Sequence, residues 1–467
     1  MRTASALTIS LIVTIGALLF PRAAAAAPAH VSTRILGVSW STDGPIGKIT
    51  LRFDGPVNFR TMSSGSSITV DVWRARHTWW GTRTPQHTYV RSVLTAQITR
   101  DLARVRIYLK RPARYKTFVS ADARQLTVLV IPPWMATTPL PASVAYEKSR
   151  VATDAGSTAV HVLRVDPRAR GLEIRPVLAG NAVTGKEVTS TIATRSDAVA
   201  AINGGFFADT GRPLGMVVIN GELVSAPLPR RSVFVIGRDG NARIQAFEFA
   251  GRLKTARGAT LWISGVNRPP HTQGAAVFTR YYGPLTPPVR MAAVVRDNVV
   301  EAITAGRILI PADGYVLGVN AGDAALITDH IRVGDRLNLS LIVSPDLEVI
   351  SALGAGPRLV KGGRVEIPFS WEWFSSSLLR SRAPRTAVGI TRTGKLVLVT
   401  VDGRSRANTG MTLHELARLM IRLGAVEALN LDGGGSSTMV VGGRIVNEPS
   451  DGGERPVASA IIVLHRP

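Results

Sequence analysis

The sequence predicts an α+β protein: a C-terminal domain on a mixed β-sheet with packed helices, preceded by a small all-β, sandwich-like domain. Three observations carry this. Residues 35–133 are mostly short runs that alternate apolar with polar residues, the period of two that marks half-buried strands. Residues 412–423 put Leu413, Leu416, Ala417, Met420 and Ile421 on one helical face, and Gly424 stops the helix. Strand-like runs at 395–401 and 425–431 flank that helix, which predicts a β-α-β crossover and a partly parallel sheet.

The first 27 residues pair Arg2 with an apolar run to Phe20 and an alanine block, the pattern of a cleavable secretory signal. An uncleaved anchor is the alternative, because the run approaches the length needed to span a bilayer. An exported chain is therefore expected, periplasmic, wall-associated or secreted. Residues 31–133 form the all-β domain, with strands at 48–53, 67–73, 103–109 and 125–131 and breakers such as Asp54-Gly55-Pro56 between them. Their layout resembles the AMIN family of envelope-targeting β-modules, which implies a binding role, including binding to peptidoglycan. Residues 134–143 form a proline-rich linker. From residue 144 to 467, strands at 158–165 and 172–177, a short helix at 189–195 and hairpin turns at Asn220-Gly221 and Asp239-Gly240 are expected.

Composition narrows the partners. With 56 Lys and Arg against 32 Asp and Glu the chain carries a net charge of +24, which concentrates anions around it. For an exported protein these are anionic cell-wall glycans or sugar phosphates; no helix-turn-helix, zinc-finger or RNA-binding motif supports a nucleic-acid partner. The absence of cysteine removes disulfides, catalytic thiols and Cys-containing metal sites. His414-Glu415 lacks the second histidine of a zinc-protease helix, so His414 is an ordinary helix residue and neither metal nor other cofactor is expected.

Three segments carry the chemistry. Residues 428–439 deliver Asn430 and Asp432 to the end of a buried strand, which then dissolves into Gly433, Gly434, Gly435 and Ser436. Sheets bind ligands at such ends, and side-chain-free amides suit an anion. The run matches neither a nucleotide P-loop nor a Gly-x-Ser-x-Gly elbow. Asp402 ends the strand before the helix; in a parallel pairing it emerges beside Asp432, and paired acids suit glycosyl transfer. Asn203, followed by Gly204 and Gly205, repeats the design of strand, amide, then glycines. Arg455 lies in a polar, glycine-rich loop, and its fork suits a phosphate. Trp371-Glu-Trp-Phe374 is either a substrate platform or a loop packed on the body, and exposure of its aromatics favours the first.

Taken with Gly354-Ala-Gly-Pro-Arg358, Arg385-Thr-Ala-Val-Gly389 and Pro449-Ser-Asp451, these segments resemble the phosphodiester glycosidase family, in the family's order, over nearly all of the chain after residue 144. The resemblance implies hydrolysis of a sugar-1-phosphodiester on the glycosidic side, giving free sugar and a phosphomonoester. It adds Arg385 and Thr386 to the expected site, with Asp402 and Asp432 as catalytic acids. Arg385, Arg404 or Arg455 then helps the glycine loop to hold phosphate, although Arg404 departs from the family's animal members. A phosphomonoester leaves readily, so one carboxylate can suffice. The competing expectations are a non-catalytic wall-polymer binder or exopolysaccharide assembly factor and, on the AMIN-like module alone, a peptidoglycan-cleaving protein.

Overall fold

A computed structural model describes residues 33–63, 66–77, 81–133, 135, 139–270 and 274–466. The expected signal segment and part of the proline-rich linker lie outside them. The fold class departs from the α+β expectation: strands hold 52% of the chain and helices 8%, in several mainly antiparallel sheets. Helices cover little of the sheet surface.

Residues 33–131 form two five-stranded sheets closed over a core that includes Ile49, Leu51, Val70, Val105 and Val128. The strands Ile46–Phe53, Ser67–Trp73, Leu102–Leu109 and Gln125–Ile131 lie where period-two alternation puts them.

A seven-stranded antiparallel sheet organises the C-terminal part. Its order is Val144–Thr153, Gly156–Val165, Leu396–Val401, Arg385–Thr391, Ala425–Asn430, Arg358–Lys361 and Arg364–Val365. The expected crossover between Leu396–Val401 and Ala425–Asn430 exists, but the strands do not pair. Arg385–Thr391 inserts between them, antiparallel to both. The two strands still run in the same direction, so Asp402 and Asp432 emerge at one end of the sheet. The start of Arg385–Thr391 meets them there.

One face of this sheet packs Leu398, Val388 and Leu429 against Ile202, Ile461 and Val463 of a five-stranded sheet built on Leu172–Leu178, Ser459–His465, Ala198–Asn203, Met439–Val441 and Arg444–Ile445. The other face packs Val399, Val401 and Ala428 under the helix Leu413–Arg422. Leu413, Leu416, Ala417 and Met420 are buried on that helix, as their spacing demands.

A capping box starts the helix: the Glu415 amide donates to the Thr412 hydroxyl at 3.3 Å, and the Thr412 amide donates to the Glu415 carboxylate at 2.8 Å. Thr412→Ala is expected to cost about 1 kcal/mol of stability, measured by urea unfolding.

Residues 217–354 contribute two further strand layers, with one short parallel pairing between Thr260–Val266 and Ala275–Thr279. The Asn220-Gly221 turn adopts the left-handed φ values of 52° and 77° that a two-residue hairpin requires.

Candidate active site

Three distant segments meet at the end of the seven-stranded sheet, and Asn203 is the bracket. Its buried side chain accepts hydrogen bonds from Thr386 Oγ1 at 2.8 Å and the Thr438 amide at 3.1 Å. Its Nδ2 donates to the Asp432 carbonyl at 2.6 Å and the Gly204 carbonyl at 3.4 Å. Every polar atom of this amide is thus spent on the protein, so Asn203 fixes Asp432 rather than facing substrate. Gly204 and Gly205 serve the same closeness: a Cβ would strike Ser459 at the first and the Gly354 carbonyl at the second. They are packing glycines.

Asn430 also holds backbone. Its Nδ2 donates to the Gly356 carbonyl at 2.8 Å, and its own carbonyl accepts from the Gly356 amide at 2.9 Å.

The glycine loop differs from a bare amide cradle. The Gly433 amide donates to Asp432 Oδ1 at 3.0 Å, and the Gly434 amide to the Pro384 carbonyl at 2.8 Å. The Ser436 and Ser437 amides close onto Gly433 and Gly434. What the missing side chains provide is room for arginines. Gly434 has a φ of +61°, and a Cβ there would lie 3.2 Å from Arg404 Nη2. A Cβ on Gly435 would collide with the pair formed by Arg455 and Asp451, whose Nε and Oδ2 are 2.8 Å apart. Two arginines therefore overlie the loop that Asp432 begins. The chemistry for an anion is present, supplied by guanidinium groups.

Arg385 takes no part in that seat. Alternation along its strand puts it on the helix face, opposite Thr386. There its Nε donates to the Met411 carbonyl at 2.9 Å and its Nη2 to the Leu378 carbonyl at 3.1 Å. Burial, with repulsion from Arg404, pushes its guanidinium down to about 10, still charged at neutral pH.

The two acids have different hydrogen-bond partners. Asp402 is buried, accepting from the Glu448 amide at 2.9 Å through Oδ1 and meeting His161 Nε2 at 3.2 Å through Oδ2. His161 Nδ1 in turn lies 2.9 Å from the Tyr146 hydroxyl. Every partner is satisfied when Tyr146 donates to Nδ1 and Nε2–H donates to the carboxylate. Burial and the charge of Asp402 push the Tyr146 hydroxyl up, so it keeps its proton.

Asp432 stands apart from this chain. Burial raises its carboxyl to about 6, against the downward pull of the Ser436 hydroxyl, the Gly433 amide and Arg455. An acid titrating near neutrality beside two arginines is the reactive candidate.

His161 and Tyr146 went unread in the sequence. The available signal was a lone histidine inside the apolar run Ala159-Val-His-Val-Leu163. Among the described residues no cluster of three metal-ligating side chains occurs. The exposed His414 sits on the outer face of its helix.

Comparison with known proteins finds a family likeness over part of the chain. Residues 290–464 match the phosphodiester glycosidase family model; the N-terminal sandwich and Asn203 lie outside that match. An uncharacterised SPbeta prophage-derived protein of Bacillus subtilis, YomE, is 28% identical over 203 residues, 40% of this chain and 31% of that protein. The N-acetylglucosamine-1-phosphodiester alpha-N-acetylglucosaminidase of Bos taurus is 48% identical over 67 residues, 14% of this chain and 12% of the bovine protein. The chain thus matches a third or less of the length of these curated relatives. In fold it resembles a hypothetical protein from Synechocystis, with a TM-score of 0.63 and 24% identity over 93% of this chain and 81% of that one. Residues 290–464 thus resemble the phosphodiester glycosidase family.

Proposed function

We propose that the chain is an exported hydrolase that cleaves a sugar-1-phosphodiester in a cell-envelope glycan or glycoconjugate, releasing sugar and leaving a phosphomonoester. The observation that carries this reading is Asp432, raised to about 6 and set at the start of a loop that two arginines overlie. Arg404 and Arg455 hold the phosphate and offset its charge as the glycosidic bond breaks. Asp432, ionised, takes a proton from water as the water oxygen bonds to the anomeric carbon. The bond from that carbon to the phosphate oxygen breaks, and its electron pair leaves with the phosphomonoester. No second acid is needed for this leaving group, which agrees with Asp402 being held by His161 and Glu448.

The net charge of +24 and the N-terminal signal pattern support export and an anionic envelope substrate. The family resemblance of the bovine glycosidase supports a phosphodiester-linked sugar as the group cleaved.

Hydrolysis in oxygen-18 water tests the bond broken. The label is expected in the released sugar and none in the phosphomonoester; label in the phosphate would overturn the reading. As Asp432 must be ionised to act, kcat/KM is expected to rise with pH through about 6. A profile flat from about pH 5 to 7 would remove Asp432 as the base. Tight binding of such diesters with no product would leave the chain a binding factor.

A further inference from the structure

The aromatic stretch after the seven-stranded sheet's edge strands has a use that bond cleavage does not absorb. Trp371 and Trp373 are 59% and 57% exposed, a large apolar area to leave in water. Their exposure is not slackness. Between them Glu372 is buried, and its carboxylate accepts from the Ser232 amide at 3.1 Å, the Ser232 hydroxyl at 3.0 Å and the Arg358 amide at 3.0 Å. Phe374 packs on Phe206 with ring centroids 5.5 Å apart, and the Arg231 guanidinium lies 3.7 Å from the Phe374 ring centroid. The turn is clamped from below while its indoles face outward.

Arg230 completes the surface. Its guanidinium lies 4.2 Å from the Trp371 ring centroid and 5.5 Å from that of Trp373, and no salt bridge engages it among the described residues. Both Trp373, at a φ of +57°, and Arg230, at +64°, occupy the left-handed region, which is costly for bulky side chains. Two strained residues that present their side chains to solvent are not explained by packing.

The position is beside the proposed centre. Gly356 lies against Glu372 and Phe374, and its amide donates to Asn430, two residues before Asp432. Phe206 follows Asn203 by three residues. The aromatic turn is therefore tied to the strand end that carries Asp432.

We propose that Trp371, Trp373 and Arg230 form a subsite for a neighbouring sugar of an anionic glycan, outside the unit whose bond is broken; this rests on the hydrolytic reading above. The apolar C–H faces of a pyranose stack on indoles, and the cation held between the rings meets a phosphate or carboxylate carried by that sugar. A neutral glycan would use the rings but not the arginine.

The test is calorimetric binding to the full chain carrying Asp432→Asn, so that the ligand survives. The probes are a polymer of hexosamine-1-phosphate repeats, a one-sugar methyl diester of hexosamine 1-phosphate, and dextran. Adding Trp371→Ala with Trp373→Ala is expected to weaken polymer binding by about tenfold more than one-sugar binding. Phe at both positions should restore most of the loss, which separates stacking from damage to the fold. Arg230→Gln should weaken the polymer and leave dextran unaffected. Equal polymer affinity with and without the two indoles would overturn the subsite. If the unsubstituted chain cleaves no diester yet loses polymer with its indoles, the hydrolytic reading fails and the subsite stands.

Discussion

Asp432→Asn is expected to lower turnover of a sugar-1-phosphate diester by about a thousandfold or more while leaving the chain folded. The amide keeps an oxygen for the Gly433 amide, so the loop retains its hydrogen bond, and only the proton acceptor is lost. Stability gives a second readout. The folded carboxyl is raised from 3.8 to about 6, so its favourable contribution exists below the ordinary acid range and is lost as pH rises through about 6. At pH 7 the parent holds a partly buried charge that the variant lacks. The variant should therefore unfold at the same temperature as the parent or higher. Full turnover by a folded Asp432→Asn chain would exclude this acid from the chemistry.

The largest structural effect is expected at Asn203. Asn203→Ala deletes four hydrogen bonds and strands the Asp432 carbonyl, the Thr386 hydroxyl and the Thr438 amide without that partner. Buried polar groups left unpaired cost roughly 1–3 kcal/mol each, so a loss of about 3 kcal/mol or more is expected in urea unfolding. Activity should fall too, because the Asp432 backbone loses its tie to the neighbouring sheet. A variant as stable as its parent would show that other contacts hold the three segments together.

The difference between these residues marks what sequence could convey. The helix with its glycine stop and the strand ends were legible because each is a local pattern with a local cause. Asn203 was singled out as a substrate-binding group, but its hydrogen bonds go to partners 183 and 235 residues away, and no spacing reveals that its donors and acceptors are all consumed. The orientation of Arg385 is a matter of strand parity, which becomes decisive only once Thr386 is known to face Asn203. The expected parallel pairing failed for a related reason. Helix and flanking strands announce a crossover, but an earlier strand is free to occupy the gap between them. The α+β class failed with it, since the strand count was spread over sheets that no single window displays.

The N-terminal sandwich is fastened to the rest of the molecule at its own strands. Arg114, 4% exposed, donates to the Gly443 carbonyl at 2.6 Å and also to the carbonyls of Pro132 and Pro133 at the sandwich's exit. Arg60 Nε reaches the Gly180 carbonyl at 2.7 Å, and Lys116 pairs with Asp197. A tether would let the candidate site sweep a volume; this riveted joint gives it a single bearing. The candidate site is thereby carried at one height and one tilt to the sandwich, like a plane blade set in its block.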